Sequence, residues 1–410
     1  MKTQTLNLIN LKLPLKASIP KDDLEMRTEV AVIGAGPSGL LAARELAERG
    51  VNVKVFEEHR EIGVPNHCAG LLSLSGLGRL NLKVDEGFVE NYVRGAVFFS
   101  PSGISFRVES KEAQACVVDR AAFDSHLAEL AREAGAEIIK GVRVDDVVVS
   151  RELANLQVEG EPIEASFVVD AEGVKSRIVR RVGLKSFDSR GVLRALQYDL
   201  MDVDVERDFV EVYLDRRLAP GFFCWVIPTG KNSARVGLAG YNINLRRSLM
   251  IFLKRRFEGY AINNARGGLV ITSGPIPKTY IGRLAVVGDA AGQVKPTTGG
   301  GVIVGGMCAR LCGQVIAEAL RDGAEGNILS EYEEGWIDSL GEEFRRMKLV
   351  RRLLNMLPDR LIDQIFKRII DAGLHEELSR VGDIDFQSGA FNLLIRNLPK
   401  QLLKSLSFLR

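Results

Sequence analysis

The strongest local pattern of apolar and polar positions lies near the start of the chain and predicts a strand, a helix and a second strand. Residues 29–33 form a β-rich run, residues 40–47 repeat apolar side chains with a helical period that ends at Gly50, and residues 52–56 form another strand-like run. Glycines separate the first run from the helical segment. A strand, a helix and a strand within about 30 residues predict the βαβ unit of a parallel, Rossmann-like sheet.

Further along, the pattern indicates an α/β framework into which a set of strands is inserted. A helical period at 121–134 is followed by several β-branched runs. Between residues 192 and 241 four strands alternate with turns, which predicts an antiparallel sheet. A buried strand at 284–287 and a helical pattern over 300–320 then return to the framework. From residue 329 onward the pattern is helical and rich in basic residues, so we expect a helical C-terminal region.

Composition narrows the kinds of partner and compartment. The 410 residues include 55 Lys and Arg against 53 Asp and Glu, a formal charge of +2, so no overall basic field favours nucleic acid as a partner. Five cysteines without a CxxC pair and four histidines form neither a metal-ligand cluster nor a disulfide framework in the sequence, so no metal site is predicted. This cysteine usage favours a reducing compartment, and we expect a cytoplasmic protein.

No segment of the sequence is predicted to span a membrane. The longest apolar candidate, residues 299–320, is interrupted by Arg310 and Glu318, and residues 1–20 lack the continuous apolar run of a signal peptide. A peripheral contact stays open, because residues 387–410 contain Lys and Arg among apolar residues but no acid. Such a tail can lie on the cytoplasmic face of a membrane, whereas residues 341–370 fit a helical cap packed on the core better.

The turn after the first predicted strand contains a dinucleotide fingerprint. Gly34, Gly36 and Gly39 stand in a G-x-G-x-x-G string that opens the predicted helix. The first glycine permits the tight turn, the second lets the backbone approach a pyrophosphate, and the third permits close packing of helix and strand. Glu57 ends the next strand, 18 residues after Gly39, where a carboxylate can accept both hydroxyls of an adenosine ribose. These features predict a bound dinucleotide and leave NAD and FAD open.

Three further segments favour FAD. Arg120 opens a predicted helix, where its guanidinium can reach the phosphates or the ribose of the cofactor as a bidentate donor. An acidic, glycine-containing turn at 170–177 precedes another helix. Residues 284–301 (LAVVGDAAGQVKPTTGGG) run from a buried strand into a turn and end in three glycines. Asp289 in that turn can bind a ribityl hydroxyl, and the N–H groups at 299–301 can stabilise the negative charge of a reduced flavin.

Together these segments resemble the FAD-binding fold of the para-hydroxybenzoate hydroxylase type, and GDAAGQVKPTTGGGV is similar to its geranylgeranyl reductase branch. Residues 220–228 (PGFFCWVIP) resemble the P-x-x-Y-x-W-x-F-P segment that lines the lipid cavity in that branch, but they depart from it at Phe223 and Ile227. Residues 67–73 (HCAGLLS) resemble the cysteine- and glycine-containing segment that lies beside the flavin in the same reductases. The resemblance covers roughly residues 28–330.

The motifs and the resemblance together imply a fold and a set of site residues. The fold class is α/β: an FAD-binding Rossmann-like domain with an inserted antiparallel-sheet substrate domain and a helical C-terminal region. The expected limits are an N-terminal arm at 1–27, an FAD-binding domain at 28–95, 110–185 and 275–325, a substrate domain at 96–109 and 186–274, and a C-terminal region at 326–410. The expected cofactor-binding residues are Gly34, Ala35, Gly36, Pro37, Ser38, Gly39, Glu57, Cys68, Ala69, Arg120, Gly288, Asp289, Pro296, Gly299, Gly300 and Gly301. The expected substrate residues are Pro220, Phe222, Phe223, Trp225 and Pro228, and Cys68 is the candidate catalytic residue.

The resemblance also implies an activity, the FAD-dependent reduction of isoprenoid C=C bonds in geranylgeranyl groups, with archaeal-type ether lipid precursors as the substrate class. Two alternatives stay open: an aromatic monooxygenase on the same fold, and a flavin electron carrier at a membrane surface. Because the sequence shows one dinucleotide fingerprint, the electron donor is expected to be a transiently bound NAD(P)H, a ferredoxin-like carrier or a quinol. The sequence does not choose among these three donors.

Overall fold

The computed structural model describes residues 27–150, 152–323 and 327–397. The predicted N-terminal arm, apart from Arg27, and the last part of the basic tail, residues 398–410, lie outside the described residues. The strands are β1 Arg27–Ile33, β2 Val53–Glu57, β3 Leu71–Ser73, β4 Val89–Val93, β5 Gly95–Phe99, β6 Ser105–Glu109, β7 Ala115–Val118, β8 Glu137–Lys140, β9 Val144–Val149, β10 Ala154–Val158, β11 Glu161–Asp170, β12 Val192–Met201, β13 Phe209–Tyr213, β14 Cys224–Pro228, β15 Ser233–Gly240, β16 Ala261–Ile271, β17 Tyr280–Ile281 and β18 Leu284–Val286. The α-helices are α1 Pro37–Ala47, α2 Leu74–Arg79, α3 Arg120–Glu133, α4 Arg177–Arg181, α5 Leu245–Arg256, α6 Val302–Asp322, α7 Leu329–Trp336, α8 Glu342–Met356, α9 Asp359–Asp371, α10 Leu374–Val381 and α11 Ser388–Asn397.

The largest sheet is the Rossmann-like core that the sequence predicts. Its main order is β17-β18-β11-β1-β2-β8, and β9 and β10 extend it as an antiparallel meander from β11. Strands β18, β11, β1, β2 and β8 run parallel to one another, whereas β17 pairs with β18 in the antiparallel sense. Strand β2 is buried along its whole length, as expected for a parallel strand with both faces of its sheet covered. The carboxyl ends of these parallel strands therefore share one edge of the sheet.

Helices α1 and α6 pack against each other through small residues. A Cβ at Gly306 would lie 2.7 Å from Leu41 Cδ1, and a Cβ at Gly313 would lie 3.0 Å from the Ala42 carbonyl oxygen. The absence of a side chain at both glycines therefore lets the two helices pack closely. By length and composition α6 could cross a membrane, and it is the one helix of the described ranges with that property. However, 67% of its apolar window is buried inside the protein. Packing against α1 and the core accounts for its apolar character.

The second sheet contains the strands predicted between residues 192 and 241. Its order is β16-β12-β15-β14-β13-β5-β6. All neighbours are antiparallel except β13, which runs parallel to β5 because the early β5–β6 hairpin joins the sheet along the free side of β13. Two elements of this region, α5 and β16, were not predicted from the sequence. Strand β16 lies at the edge of the sheet and is mostly exposed, so its sequence lacks the apolar alternation of a half-buried strand.

The two faces of this second sheet have different neighbours. Cys224 and Val226 belong to the face that packs on α5, whereas Trp225 and Ile227 point the other way, because successive residues of a strand alternate between faces. We call the side of Trp225 and Ile227 the inner face. This inner face contacts Ala69, which lies in the loop between β2 and β3.

The C-terminal helices cover the β5–β6 hairpin and the cofactor-side loops. Helix α8 buries Phe344 and Met347, and α9 buries Ile362 and Phe366 in a cluster that includes Phe106 of β6. The packed cap predicted for residues 341–370 is therefore confirmed. Helix α11, in contrast, has no buried residue over its described length.

Candidate active site

Distant sequence motifs meet at the carboxyl edge of the Rossmann-like sheet. Ile33 at the end of β1 pairs with Asp170 at the end of β11, and Asp170 pairs with Val286 at the end of β18. Strand β2 ends beside β1 at Glu57. The turns that follow these parallel strands lie on one side of the sheet, where open α/β folds bind their ligands. The structure thus brings together the fingerprint turn, the acidic turn and the glycine-rich segment.

The fingerprint turn has the geometry that its glycines were expected to permit. Gly34 has a φ of +96°, and a Cβ there would lie 2.6 Å from the Ala171 carbonyl oxygen. A Cβ at Gly39 would collide with the Gly34 carbonyl group, so this glycine allows α1 to pack closely on the turn. At Gly36, by contrast, a Cβ would meet nothing within 4 Å. Open space therefore lies beside the middle glycine, at the start of α1.

Glu57 is held beside the fingerprint turn. Its side chain is buried, and Oε2 accepts a hydrogen bond of 2.7 Å from the Ala35 N–H. Its Oε1 accepts a hydrogen bond of 2.8 Å from the His59 N–H and lies 2.6 Å from His59 Nδ1. Because a carboxylate offers about four acceptor positions, these three contacts leave about one position for a ribose hydroxyl.

The turn after β18 places Asp289 in the cleft. The Gly288 N–H donates 2.9 Å to Gln293 Oε1, and Gln293 Nε2 donates 2.9 Å to the Tyr332 hydroxyl, so the turn is fixed from α7. The surface of Asp289 is accessible, but protein atoms surround the side chain on most sides, as expected in an internal cleft. The surrounding protein displaces water from the carboxylate and so raises the pKa of Asp289, and the positive charge of the Arg120 guanidinium partly offsets the rise. Neither Gln293, although it stands in the quoted GDAAGQVKPTTGGGV segment, nor Tyr332, which stands in no motif, was expected to have this role.

The glycine triplet faces the substrate domain. Residues 290–297 are buried, whereas residues 298–301 are accessible. Gly299 has a φ of +73°, and a Cβ there would lie 2.5 Å from Val270 Cγ1 and 3.7 Å from Phe222 Cζ. The loop and the substrate domain therefore approach each other at Gly299, where a side chain on the loop would collide with Val270.

A buried ion pair that the sequence did not reveal holds this loop from behind. Lys295 Nζ lies 2.6 Å from Asp385 Oδ1 and donates 3.0 Å to the Ile384 carbonyl oxygen. Asp385 also accepts a hydrogen bond from Ser73 Oγ, and both members of the pair are buried. The Lys295 carbonyl in turn accepts the Gly299 N–H at 2.8 Å. The C-terminal region thus fixes the glycine triplet through Lys295.

Cys68 and Ala69 lie in a segment that is fixed by backbone contacts. The Cys68 N–H donates 3.0 Å to Asn66 Oδ1, and the Gly70 N–H lies 3.4 Å from Cys68 Sγ. Arg235 Nη1 donates 2.9 Å to the Ala69 carbonyl oxygen. Cys68 is partly exposed, whereas the other four cysteines are buried. It is therefore the accessible thiol of this chain.

Arg120 differs from its expected role. Its Nε and Nη2 donate 2.9 and 3.0 Å to the two carboxylate oxygens of Asp124, so the bidentate edge expected to bind the cofactor is already used. The guanidinium also lies beside Cys68. Burial alone would lower the pKa of Arg120, but Asp124 and Cys68 raise it overall, which keeps the side chain cationic. Its charge acts on Cys68 and Asp289 at the cleft.

An aromatic wall, which we define as Phe222, Phe223 and Trp225, lies where the inner face meets the glycine triplet. The rings of Phe222 and Phe223 are stacked with centroids 4.1 Å apart, and Trp225 stands edge-on to Phe223 at 6.1 Å. Trp225 Nε1 donates 3.0 Å to Gln197 Oε1, which fixes the indole. Pro220 precedes the wall and is partly exposed. The structure thus brings together three of the expected substrate residues.

Two expected site residues, Pro228 and Pro296, are buried. Pro228 stands two residues after Val226 on β14, so by strand alternation it shares the face of Val226, which packs toward α5, and its carbonyl accepts 3.0 Å from Asn91 Nδ2. Its expected place in the lipid cavity beside Trp225 stays a prediction. Pro296 lies behind the glycine triplet.

The residues present fit FAD. The open space at Gly36 suits a pyrophosphate at the start of a helix, where N–H groups lack helical acceptors. Asp170 is fully buried and its Oδ2 has no hydrogen-bond partner, so the same edge also contains a polar atom that a bound group could satisfy. Asp289 and residues 298–301 line an accessible strip on the opposite side of that edge.

Comparisons with known proteins agree with this geometry. The family model of an FAD binding domain matches residues 27–248. Digeranylgeranylglycerophospholipid reductase 2 of Methanothermobacter thermautotrophicus is 33% identical over 84% of this chain and 92% of its own length. Digeranylgeranylglycerophospholipid reductase of Methanothrix thermoacetophila is 32% identical over 92% of this chain and 98% of its own.

A solved structure extends the agreement to the fold. The geranylgeranyl bacteriochlorophyll reductase-like protein of Thermoplasma acidophilum superposes with a TM-score of 0.79 at 29% identity, covering 84% of this chain and 91% of that one. The expected α/β fold class and the expected cofactor FAD are confirmed. The chain belongs to the digeranylgeranylglycerophospholipid reductase family of FAD-dependent oxidoreductases.

Proposed function

We propose that this protein reduces the C=C bonds of geranylgeranyl groups in an archaeal-type ether phospholipid precursor. The observation that carries the proposal is the contact between the glycine triplet and the aromatic wall, since a Cβ at Gly299 would lie 3.7 Å from Phe222. At Gly299 the accessible strip of the FAD-binding edge thus faces two apolar side chains, Val270 and Phe222. An isoprenoid chain has no polar group to recognise, so an apolar surface beside the cofactor is what its reduction requires.

The residues of the chain act mainly by positioning. Bound FAD supplies hydride chemistry for reducing a double bond. Phe222 and Phe223 offer a flat apolar surface that excludes water, and Gln197 holds the Trp225 indole at a fixed angle beside them. Cys68 Sγ is held next to the cationic Arg120 and is the protein atom to which we assign the proton-exchanging role beside the cleft.

A mass measurement tests the proposal directly. The FAD-loaded, dithionite-reduced protein is incubated without oxygen with digeranylgeranylglyceryl phosphate, and the lipid mass is then determined. We expect a gain of two hydrogens for each bond reduced, because addition across a double bond leaves the carbon skeleton intact. An aromatic monooxygenase would instead add oxygen to a phenolic substrate in air, and an electron carrier would leave every lipid unchanged. No gain in mass with any polyprenyl lipid would contradict the proposal.

The electron donor can be identified with the same preparation. The oxidised protein is mixed without oxygen with NADH, NADPH, a reduced ferredoxin or a quinol, and the loss of flavin absorbance is followed. We propose that the donor belongs to one of these classes, since the chain shows a single dinucleotide fingerprint. The class that reduces the flavin fastest and supports lipid reduction is the donor.

We also propose that the C-terminal helices rest on the cytoplasmic face of a membrane. Their exposed apolar residues include Leu349, Met356 (60% exposed) and Ile395, and basic side chains lie between them. Flotation with anionic and with zwitterionic vesicles tests the contact, and we expect binding to the anionic vesicles that weakens with salt. Met356→Asp should reduce this binding, whereas Met201→Asp, at an exposed residue of the substrate domain, should not. Equal binding of both variants would contradict the proposal.

A further inference from the structure

A pocket beside the aromatic wall is lined by two arginines and by no acidic residue. It is an open indentation between the loop before β14 and helices α8 and α9. Its enclosed part, about 20 Å³, has room for about one water molecule, and about 300 Å³ of space, which includes open solvent, surrounds it. Its lining includes Arg216, Phe222, Arg351 and Asn355. None of these residues belongs to the fingerprint edge. The pocket shares Phe222 with the aromatic wall, and Arg351 connects it to the loop that carries the glycine triplet.

Arg351 is the buried cation of this pocket. It is 4% exposed; its Nε donates 3.1 Å to the Pro296 carbonyl, Nη1 donates 3.4 Å to the Gly221 carbonyl, and Nη2 donates to the Thr297 carbonyl. These bonds use three of the five N–H groups of a guanidinium. Burial lowers the pKa of Arg351 to about 10, so the side chain still bears its charge at neutral pH.

Arg351 has no carboxylate counter-charge within the described residues, since its contacts are carbonyl groups and the ring of Phe222 at 4.8 Å. A buried cation is costly unless an anion accompanies it. Carbonyl oxygens satisfy the hydrogen bonds but leave the net charge in place. An anionic group bound in the pocket would therefore stabilise the buried charge of Arg351.

Arg216 places a second cation at the mouth of the pocket. Its Nη1 donates 2.6 Å to the Leu357 carbonyl, which anchors the side chain on α8. The neighbouring carboxylate, Asp215, pairs with Arg217 and Arg255 instead. The Arg216 charge thus stays available to an anion in the pocket, and Asn355 adds an amide donor beside it.

The position of Phe222 links this charge to the lipid surface. One side of its ring lies against Arg351, and the ring stacks on Phe223 of the aromatic wall. We propose that the pocket binds a phosphate monoester at the polar end of the lipid substrate, with Arg351 and Arg216 as its cationic donors. Arginine is suited to this task because its planar fork donates two charge-assisted hydrogen bonds to one phosphate. The proposal rests on the proposed function, because it assigns the head group of that same substrate.

Kinetics with two substrates test the assignment. Digeranylgeranylglyceryl phosphate and the same lipid without its phosphate are compared for the wild-type protein, Arg216→Gln and the control Arg217→Gln. We expect Arg216→Gln to raise KM for the phosphorylated lipid about tenfold, because a charged hydrogen bond is lost, and to leave KM for the phosphate-free lipid within twofold. Arg217→Gln should change neither KM. An equal rise in both KM values for Arg216→Gln would overturn the proposal.

Two further measurements complete the test. Inorganic phosphate should compete with the phosphorylated lipid and leave reduction of the phosphate-free lipid unaffected, whereas equal inhibition of both would indicate a free-phosphate site unrelated to the lipid and overturn the proposal. Arg351→Lys keeps the charge but loses the fork. In the fraction of this variant that retains flavin, we expect the same selective rise in KM as in Arg216→Gln; unchanged discrimination between the two lipids would count against the assignment. If the wild-type protein reduces neither lipid, the proposed function fails instead.

Discussion

The two sides of the cofactor cleft are built by different means. The fingerprint edge is made of backbone geometry, with Gly34 at a positive φ, open space at Gly36 and an amide contact between Ala35 and Glu57, which are 22 residues apart. The opposite side is held by the buried side chains of Lys295 and Asp385, which are 90 residues apart. The first kind of construction leaves a local motif in the sequence, and the second kind does not.

Breaking the buried pair should have the largest effect. Asp385→Ala leaves the Lys295 ammonium buried without its partner, so we expect the free energy of unfolding to fall by about 3–5 kcal/mol in urea titrations of the protein without FAD. Asp322→Ala, which breaks an exposed pair with Arg321, should leave that free energy unchanged within error. If Asp385→Ala is as stable as the wild-type protein, the C-terminal region does not hold the loop.

The backbone-built edge should respond to a single methyl group. Gly34→Ala adds a Cβ at a positive φ and 2.6 Å from a carbonyl oxygen, so we expect a loss of about 2–4 kcal/mol together with loss of flavin absorbance after purification. Gly50→Ala is a matched control, because Gly50 also has a positive φ but its Cβ would meet nothing within 4 Å. The free energy of unfolding of Gly50→Ala should fall by only about 1–2 kcal/mol, the cost of placing alanine in a left-handed backbone conformation, and this variant should keep its flavin. Equal effects of the two substitutions would contradict the steric argument.

The pH dependence of stability distinguishes the two sides further. Burial and the neighbouring Glu172 raise the pKa of Asp170 well above its ordinary value of 3.8. As pH rises above 3.8 the unfolded chain loses this proton while the folded chain keeps it, so stability falls with rising pH, by up to about 1.4 kcal/mol per pH unit. Asp170→Asn should make this slope shallower in urea titrations of the protein without FAD between pH 4 and 7, and the part that remains belongs to the other buried carboxyls with raised pKa, such as Asp289. A slope that persists unchanged in Asp170→Asn would show that other groups cause it.

The smallest expected effect concerns the aromatic wall. Trp225→Phe removes the hydrogen bond to Gln197 but keeps an aromatic ring, so we expect KM for the phosphorylated lipid to rise by a few fold, which corresponds to about 1 kcal/mol. Trp336→Phe is the matched control, because Trp336 donates a similar bond to Thr279 outside the cleft. It should lower thermal stability without changing KM. A change in KM for both variants, or for neither, would contradict the positioning role of Trp225.

The same contrast explains what could be predicted from the sequence. The strands around the fingerprint and the turns at Gly34 and Asp289 follow from local apolar periods and from glycines whose backbone role repeats in many chains. The ion pair of Lys295 with Asp385 depends on how the C-terminal region packs, and no period or motif encodes it. A resemblance between linear segments does not state which face of a strand each residue takes, so the place of Pro228 relative to Trp225 could not be predicted from it.

Helix α5 was missed for a different reason. Its start carries a usable signal, since Asn244 caps the helix by accepting the Arg247 N–H at 3.0 Å. Its sequence, LRRSLMIFLKRR, has apolar residues that α5 buries against the second sheet at Leu249 and Phe252. Attention to the cap would have revealed the helix between two predicted strands.

The approach of Val270 to Gly299 implies a rule for related chains. Here the two domains meet where one partner contributes only a hydrogen atom, so the volume available to the pair is nearly fixed. A chain that has alanine at position 299 should have a residue smaller than valine at position 270, and one that keeps a bulky residue at 270 should keep glycine at 299. Compensating changes of this kind would leave a trace of domain docking in an alignment, readable without any structure.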